Sequence, residues 1–185
     1  MNGLVSTEWL AGALGAPDLR IVDVRWYLDP RKVGRDAYEG GHIPGAVFLD
    51  VGTDLSAPGG GRGSPIGRHP WPSDEQVSRV IGAAGIGPET RVVAYDDQSG
   101  ATAARLWYLL RAFGHDAVAV LDGGITKWQA EGRPLATGTV TPEAARFTAR
   151  LREGWVAGRD EMARLDPSIL VIDARAGERY RGETE

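Results

Sequence analysis

The chain begins to repeat itself near its end. Ile21-Val22-Asp23-Val24-Arg25 returns as Val171-Ile172-Asp173-Ala174-Arg175, 150 positions later. Residues 5–14 match residues 156–165 in pattern at an offset of 151, and Tyr38 finds a counterpart in Tyr180. The first copy continues through His42-Ile43-Pro44-Gly45-Ala46 and well beyond; the second reaches only Glu185. A long-period repeat of this kind marks duplicated folding units. The simplest reading is a tandem two-domain protein. Residues 1–132 are expected to form the first domain, 133–155 an interdomain linker, and 156–185 the incomplete start of a second domain. Chemistry that sits late in the second copy lies outside these residues.

Composition narrows the function classes. Apolar residues make up 42% and charged residues 25% of the chain, ordinary proportions for a globular domain. The net charge of −4 gives no electrostatic footprint for nucleic acid or an anionic membrane. No apolar run approaches the length of a membrane span, and no basic-then-apolar leader opens the chain, so a cytoplasmic location is expected. The chain has no cysteine, which excludes disulfides, thiolate metal sites and thiol catalysis within it. His42, His69 and His115 are too far apart in sequence to suggest metal-ligand spacing. Neither a metal nor a cofactor is expected.

The pattern along the chain is alternating. Ser6 caps a short helix bearing Trp9, Leu10, Ala13 and Leu14, with Gly15 as its stop. Strands are predicted over 20–24, 46–49, 92–95 and 117–121. Residues 26–41 read as a polar loop, and 52–72 are too rich in Gly and Pro for regular structure. Ser73-Asp74-Glu75-Gln76 is a capping box opening a helix with Val77, Val80, Ile81 and Ala84 at helical spacing. A second helix is predicted over 101–113, and a third follows Asp122-Gly123-Gly124 with Ile125 and Trp128. Residues 132–155 show no sustained period. Helix 158–165 and strand 168–173 then restart the pattern. Short apolar strands alternating with helices predict an α/β fold with a central parallel sheet flanked by helices. Ligands bind such folds at the carboxyl ends of the strands, which singles out residues 96–100 and the stretch from 25 onward.

Tyr38-Glu39-Gly40-Gly41-His42-Ile43-Pro44-Gly45-Ala46-Val47-Phe48-Leu49 resembles the N-terminal signature of rhodanese-type sulfurtransferases. Asp23-Val24-Arg25, Gly67-Arg68-His69-Pro70, Val93-Ala94-Tyr95-Asp96-Asp97 and Leu121-Asp122-Gly123-Gly124, followed by Trp128, fit the same family in order. With the repeat, the chain is similar to the two-domain thiosulfate and 3-mercaptopyruvate sulfurtransferases. The resemblance implies a small α/β unit in each copy. It also implies a persulfide-forming cysteine, normally carried by the C-terminal copy, in a loop of the form Cys-x-x-Gly-x-Thr. The matching stretch is Asp97-Gln98-Ser99-Gly100-Ala101-Thr102, which puts Asp97 at the cysteine position. A carboxylate can sit in a cradle of loop N–H groups and a helix N-terminus, but it cannot accept sulfane sulfur. Asp97 is therefore expected to fill the cradle, and the chain alone to be inactive.

The resemblance further assigns contact with the substrate anion to Arg179, just before Tyr180; the first copy has Ala37 before Tyr38. The partners implied for the longer protein are a small anionic sulfur donor and a thiophilic acceptor. Asp23, Arg25, Tyr38, His42, Pro44 and Gly45 read as structural, with Asp173 and Arg175 repeating the loop-pinning role of Asp23 and Arg25. Asp97 itself reads as a cap or loop acceptor before it reads as a base. Trp107 and Trp128 suit core packing. Gly59, Gly60, Gly61 and Gly63 lack the Gly-Lys-Ser/Thr that would make them a phosphate loop. A competing function is a catalytically dead rhodanese-like module that binds or regulates a protein partner. The apolar run Ile169-Leu170-Val171-Ile172, without its sheet, is expected to be disordered or to pair with another molecule.

Overall fold

The computed structural model describes residues 3–184 and divides into two units, 1–152 and 153–185. The first contains a five-stranded sheet, in order β1-β5-β4-β2-β3 with every pairing parallel. The strands are β1 (Leu4–Val5), β2 (Leu19–Asp23), β3 (Val47–Phe48), β4 (Arg91–Tyr95) and β5 (Val118–Leu121). The helices are α1 (Thr7–Ala13), α2 (Gly34–Gly40), α3 (Asp74–Ala83), α4 (Ala103–Ala112) and α5 (Gly124–Ala130). In β4, Val92, Val93, Ala94 and Tyr95 are all buried; in β5, all four residues are. Continuous apolar strands of this kind belong in a sheet covered on both faces, as the sequence pattern predicts. One core cluster joins Leu10, Ile21, Ile43, Tyr95, Leu121 and Trp128. α3 buries Val77, Val80 and Ile81, and α4 buries Leu106, Leu109 and Leu110, packing on β4 and β5. Among the described residues, no helix is long and apolar enough to cross a membrane.

The caps differ from the sequence reading in one detail. Ser6 Oγ accepts from Trp9 N–H and Ser73 Oγ from Gln76 N–H, both at 3.2 Å. The reciprocal half of the Ser73 box is not made. Gln76 instead sends its side-chain N–H groups to the carbonyls of Thr53, Asp54 and Ser56, tying α3 to the irregular loop before it.

Residues 26–41, read as loop, contain α2. No apolar period announces it. It forms because Tyr38 is fully buried and because Gly34 lies against the Arg25 carbonyl, where a Cβ would sit 2.0 Å from the oxygen. β1 is too short to carry a pattern and owes its strand character to pairing with β5.

The segment 133–155, expected to be a linker, is irregular but not free. As far as Arg152 it runs over the first unit as a strap. His42 and Ala136 form a bridge, and Trp128 Nε1–H donates to Pro134 O at 2.8 Å. Val140 N–H donates to Tyr38 Oη at 3.0 Å, Ala145 N–H to Gly82 O at 2.9 Å and Ala149 N–H to Ser78 Oγ at 2.9 Å. Ala149 is buried, and Arg152 forms a bidentate pair with Asp116 at 2.9 and 2.7 Å. Secondary-structure periodicity cannot reveal such a strap, since its bonds go to groups distant in sequence.

The second unit carries two one-turn helices, α6 (Arg159–Met162) and α7 (Gly177–Tyr180), neither with a buried residue. The helix expected over 158–165 is thus reduced to a single turn, and the strand expected over 168–173 is not formed. Leu170 is 81% and Ile172 78% exposed. A parallel strand has no hydrogen-bonding partners of its own, so its apolar sequence alone does not hold it in a ladder.

Candidate active-site loop

The loops at the carboxyl ends of β2, β4 and β5 meet around residues 96–102. Asp96, the first residue past β4, is buried. Its Oδ1 accepts from Gln98 N–H at 2.8 Å and Gly100 N–H at 2.9 Å. Its Oδ2 accepts from Thr102 N–H at 2.7 Å, Ala103 N–H at 2.9 Å and Thr102 Oγ1–H at 3.0 Å. Four backbone donors, the last of them opening α4, therefore converge on one carboxylate. Burial works to raise the pKa of Asp96, but the bonds from Ala103, Gln98, Gly100 and Thr102 outweigh it and hold the group below its ordinary value.

This corrects the expectation for Asp97. Counting back from Gly100 and Thr102 selects Asp97, yet the cradle holds Asp96. Asp97 points the other way and accepts from Tyr27 Oη–H at 2.7 Å through Oδ2. Its Oδ1 is buried without a partner. Burial and the bond to Asp97 push the Tyr27 hydroxyl up to about 12. Gln98 adds a second tie across the same gap, donating from Nε2 to Trp26 O. The turn that satisfies Asp96 forces Ser99 to φ +57°, and among the described residues it is the one non-glycine with positive φ.

The Gly123-Gly124 pair is part of the same construction. Ile125 N–H donates to Asp96 O at 3.0 Å. A Cβ at Gly124 would sit 2.2 Å from that oxygen, and its φ is +55°. Only glycine allows the β5 loop to approach so closely.

The remaining signature residues hold the loops beneath. Arg25 forks onto Asp23 with Nη2–Oδ2 at 2.6 Å and donates to Gly41 O at 2.8 Å. Burial lowers the Arg25 pKa, and the Asp23 carboxylate more than restores it. The Tyr38 hydroxyl donates to Ala46 O at 2.9 Å, and the Tyr38 ring stacks on His42 at 4.2 Å. His42 Nδ1 lies 2.9 Å from Tyr38 O. Pro44 and Gly45, the latter at φ +79°, occupy the centre of a turn closed by Ala46 N–H to Ile43 O at 2.9 Å, the type II pattern. Arg179 lies in the second unit, exposed on α7.

Sequence reasoning gives no role in this rim to three residues, one of which, His69, enters it as part of a signature. Tyr27 is one. Arg105 is another: its guanidinium donates to Leu55 O, Ser56 Oγ, His69 O and Pro70 O, gathering the Gly/Pro-rich loop against α4. Burial lowers its pKa. The third is His69, whose two ring nitrogens are both buried and unpartnered and whose ring stands edge-on to Trp26 at 4.8 Å. Burial, then the charges of Arg105 and Arg68, hold its pKa below the ordinary value against the pull of Asp50. Tyr27 and His69 lie outside periodic segments, and Arg105, though on α4, makes its side-chain bonds to residues 35–50 positions away. Trp128 is buried as expected; Trp107 is half-buried beneath the Arg111 guanidinium at 4.9 Å. Among the described residues, no group of three His, Asp or Glu is placed to hold a metal ion.

A parallel sheet, a nested loop after its central strand and a Gly-Gly turn closing over it define a rhodanese-like domain, and the rhodanese-like domain family matches residues 6–131. The chain belongs to the rhodanese family. It is 39% identical over 192 residues to human 3-mercaptopyruvate sulfurtransferase, covering 98% of this chain and 62% of that protein. It is 37% identical to a putative thiosulfate sulfurtransferase, SseB, of Mycobacterium tuberculosis, covering 98% of this chain and 64% of that protein. The crystal structure of Escherichia coli SseA, a 3-mercaptopyruvate sulfotransferase, superposes with a TM-score of 0.87 at 28% identity, over 99% of this chain and 69% of that one. The chain thus spans less than two thirds of the human and Mycobacterium tuberculosis relatives.

Proposed function

We propose that this chain is the N-terminal part of a tandem sulfurtransferase of the cytoplasm, in which residues 156–185 open the catalytic copy. The longer protein would move sulfane sulfur from thiosulfate or 3-mercaptopyruvate to a thiophilic acceptor through a cysteine persulfide. The observation that carries this reading is the extent of the match. Relatives named as sulfurtransferases align with 98% of the chain, through the first unit and into the repeated segment. The chain has no thiol, so no persulfide forms on it. The first copy serves as a scaffold whose loop is closed by its own Asp96. Arg179 is the chain's contribution to donor binding, since a guanidinium pairs with a carboxylate or sulfonate through two parallel bonds.

The test has two arms. The 185-residue chain should show no turnover with thiosulfate and cyanide, or with 3-mercaptopyruvate and a thiol; turnover above blank refutes the reading. In the longer protein, Arg179→Ala should lower the donor's kcat/KM by about ten- to a hundredfold, the worth of a charge-assisted bidentate contact. Unchanged donor kinetics in a folded variant removes Arg179 from the site.

A further inference from the structure

The end of the sheet opposite the loop carries a buried imidazole that nothing above employs. His115, in the turn between α4 and β5, is 5% exposed. Its ring stands edge-on to Phe147 of the strap, centroids 5.9 Å apart at 63°. Nε2 is buried without a hydrogen-bond partner. Packing against it is incomplete: Pro88, Phe113, His115, Phe147 and Thr148 help to wall a cavity of about 330 Å³. Between its bonds at Ala145 and Ala149, the strap is held here by Phe147 lying against this turn.

We propose that His115 is an acid-sensitive latch on the strap. The neutral ring lets Phe147 close over it, and its protonation releases residues 145–152 from the first unit. An imidazolium carries a second N–H that needs an acceptor, and among the described residues Nε2 has none. The nearest carboxylate, Asp116, is already committed to Arg152 at 2.9 and 2.7 Å and to Arg111 at 3.5 Å. Among the described residues, the other charged group lining this cavity is Arg146 on the strap, a cation. Opening the strap admits water to Nε2 and relieves the penalty. Burial lowers the His115 pKa, only partly offset by its bond to the Thr90 backbone and by Asp116. The closed state therefore binds fewer protons than the open one. Its advantage is complete at neutral pH, begins to erode as pH falls through the open-state value near 6.5, and is gone below the closed-state value. Because the first unit ends at Arg152, acid would loosen the stretch that joins it to the second.

The experiment is amide hydrogen exchange on the 185-residue chain at pH 7 and pH 5, with protection corrected for intrinsic exchange. Ala149 and Arg152 should lose about threefold or more of their protection at pH 5, while the Val92 and Val93 amides of β4 keep theirs. The strap near His42, at residues 136–140, should not follow. His115→Phe should abolish the loss at Ala149 and Arg152. Equal protection at both pH values, or a loss that persists in His115→Phe, overturns the latch. If that variant fails to fold, NMR titration of the wild-type His115 ring decides: a midpoint below that of an exposed histidine supports the latch, and one at or above it refutes it.

Discussion

Asp23 with Arg25 and Asp173 with Arg175 are the same five-atom fork built twice. In both, Nη2 of the arginine lies 2.6 Å from Oδ2 of the aspartate, and the arginine N–H donates to Oδ1 at 2.9 Å. The surroundings differ completely. Side-chain exposure is 7% and 0% for Arg25 and Asp23, against 51% and 34% for Arg175 and Asp173. In the first copy the fork reaches on to Gly41 O and anchors the turn that carries His42. In the second, Arg175 lies 5.8 Å from the Tyr180 ring, exposed to water. Bonds from Arg175 hold Asp173 at about 2, which records a local contact rather than a folded environment. Local sequence therefore makes the fork, and the sheet decides what it is worth.

The largest expected effect follows from that difference. Asp23→Ala strands the Arg25 guanidinium in the interior and should cost about 3–5 kcal/mol, the usual penalty for halving a buried pair. Asp173→Ala should change the urea midpoint of the 185-residue chain hardly at all, since exposed substitutions rarely register. Equal effects at the two sites would mean that the second fork is buried in solution, and the contrast would collapse.

Next in size is the loop cradle. Asp96→Ala removes the acceptor of four backbone N–H groups and should destabilise the first unit by about 2–3 kcal/mol, part of the loss being made good by water. The pH dependence has a definite sign. Asp96 has a folded pKa below its unfolded value of 3.8, so its contribution is present above that value and is lost as pH falls through the lower folded one. Urea curves at pH 7 and pH 3 should therefore converge between wild type and Asp96→Ala as the medium is acidified. A constant gap would show that the carboxylate's charge is irrelevant to the loop.

Smaller again is the contribution of the second unit. Among the described residues, 153–184 bury no core, and the second unit should add less than about 0.5 kcal/mol to the unfolding of 1–152. Their effect should appear in association instead, because Ile169, Leu170, Val171 and Ile172 offer an apolar edge to other chains. Light scattering should give 1–185 a larger mean mass than 1–152 at high concentration. Identical masses would remove self-association from the account.

What the sequence made legible divides along the same line. β2, β4 and β5 are readable because each is an apolar run buried on both faces, and α3 because its cap and spacing are local. The Asp23–Arg25 fork and the Pro44–Gly45 turn are local too, but the sequence marks these residues only as structural, and the pairing and the turn type come from the geometry. α2, the strap, Arg105 and His69 are not readable, because their partners lie far off in the chain. The strand at 168–173 fails in the opposite sense: the local signal is present, but the partners that would make it a strand are not. Asp97 and Asp96 show the limit of motif counting. Register against Gly100 and Thr102 favours one, and the geometry at the end of β4 gives the cradle to the other.

The smallest effect concerns Ser99, where tertiary demand overrides local preference. Gln98 and Gly100 both aim their N–H groups at Asp96 Oδ1, and the chain between them must turn through φ +57°. For a residue with a Cβ, that conformation costs about 1–2 kcal/mol. Glycine avoids the clash but loses about 0.5–1 kcal/mol to the greater freedom of the unfolded chain. Ser99 is exposed and makes no side-chain bond that the replacement would forfeit. Ser99→Gly should therefore raise stability by about 0.5–1 kcal/mol in urea unfolding. Ser99→Ala, which keeps the Cβ, should be neutral, and Ser99→Val should cost about 1 kcal/mol or more, since a branched side chain fits this region poorly. The gain from glycine should also shrink in Asp96→Ala, where nothing obliges the loop to turn. A valine tolerated as well as serine would mean that the loop does not hold this turn in solution, and the cradle around Asp96 would lose its geometric basis.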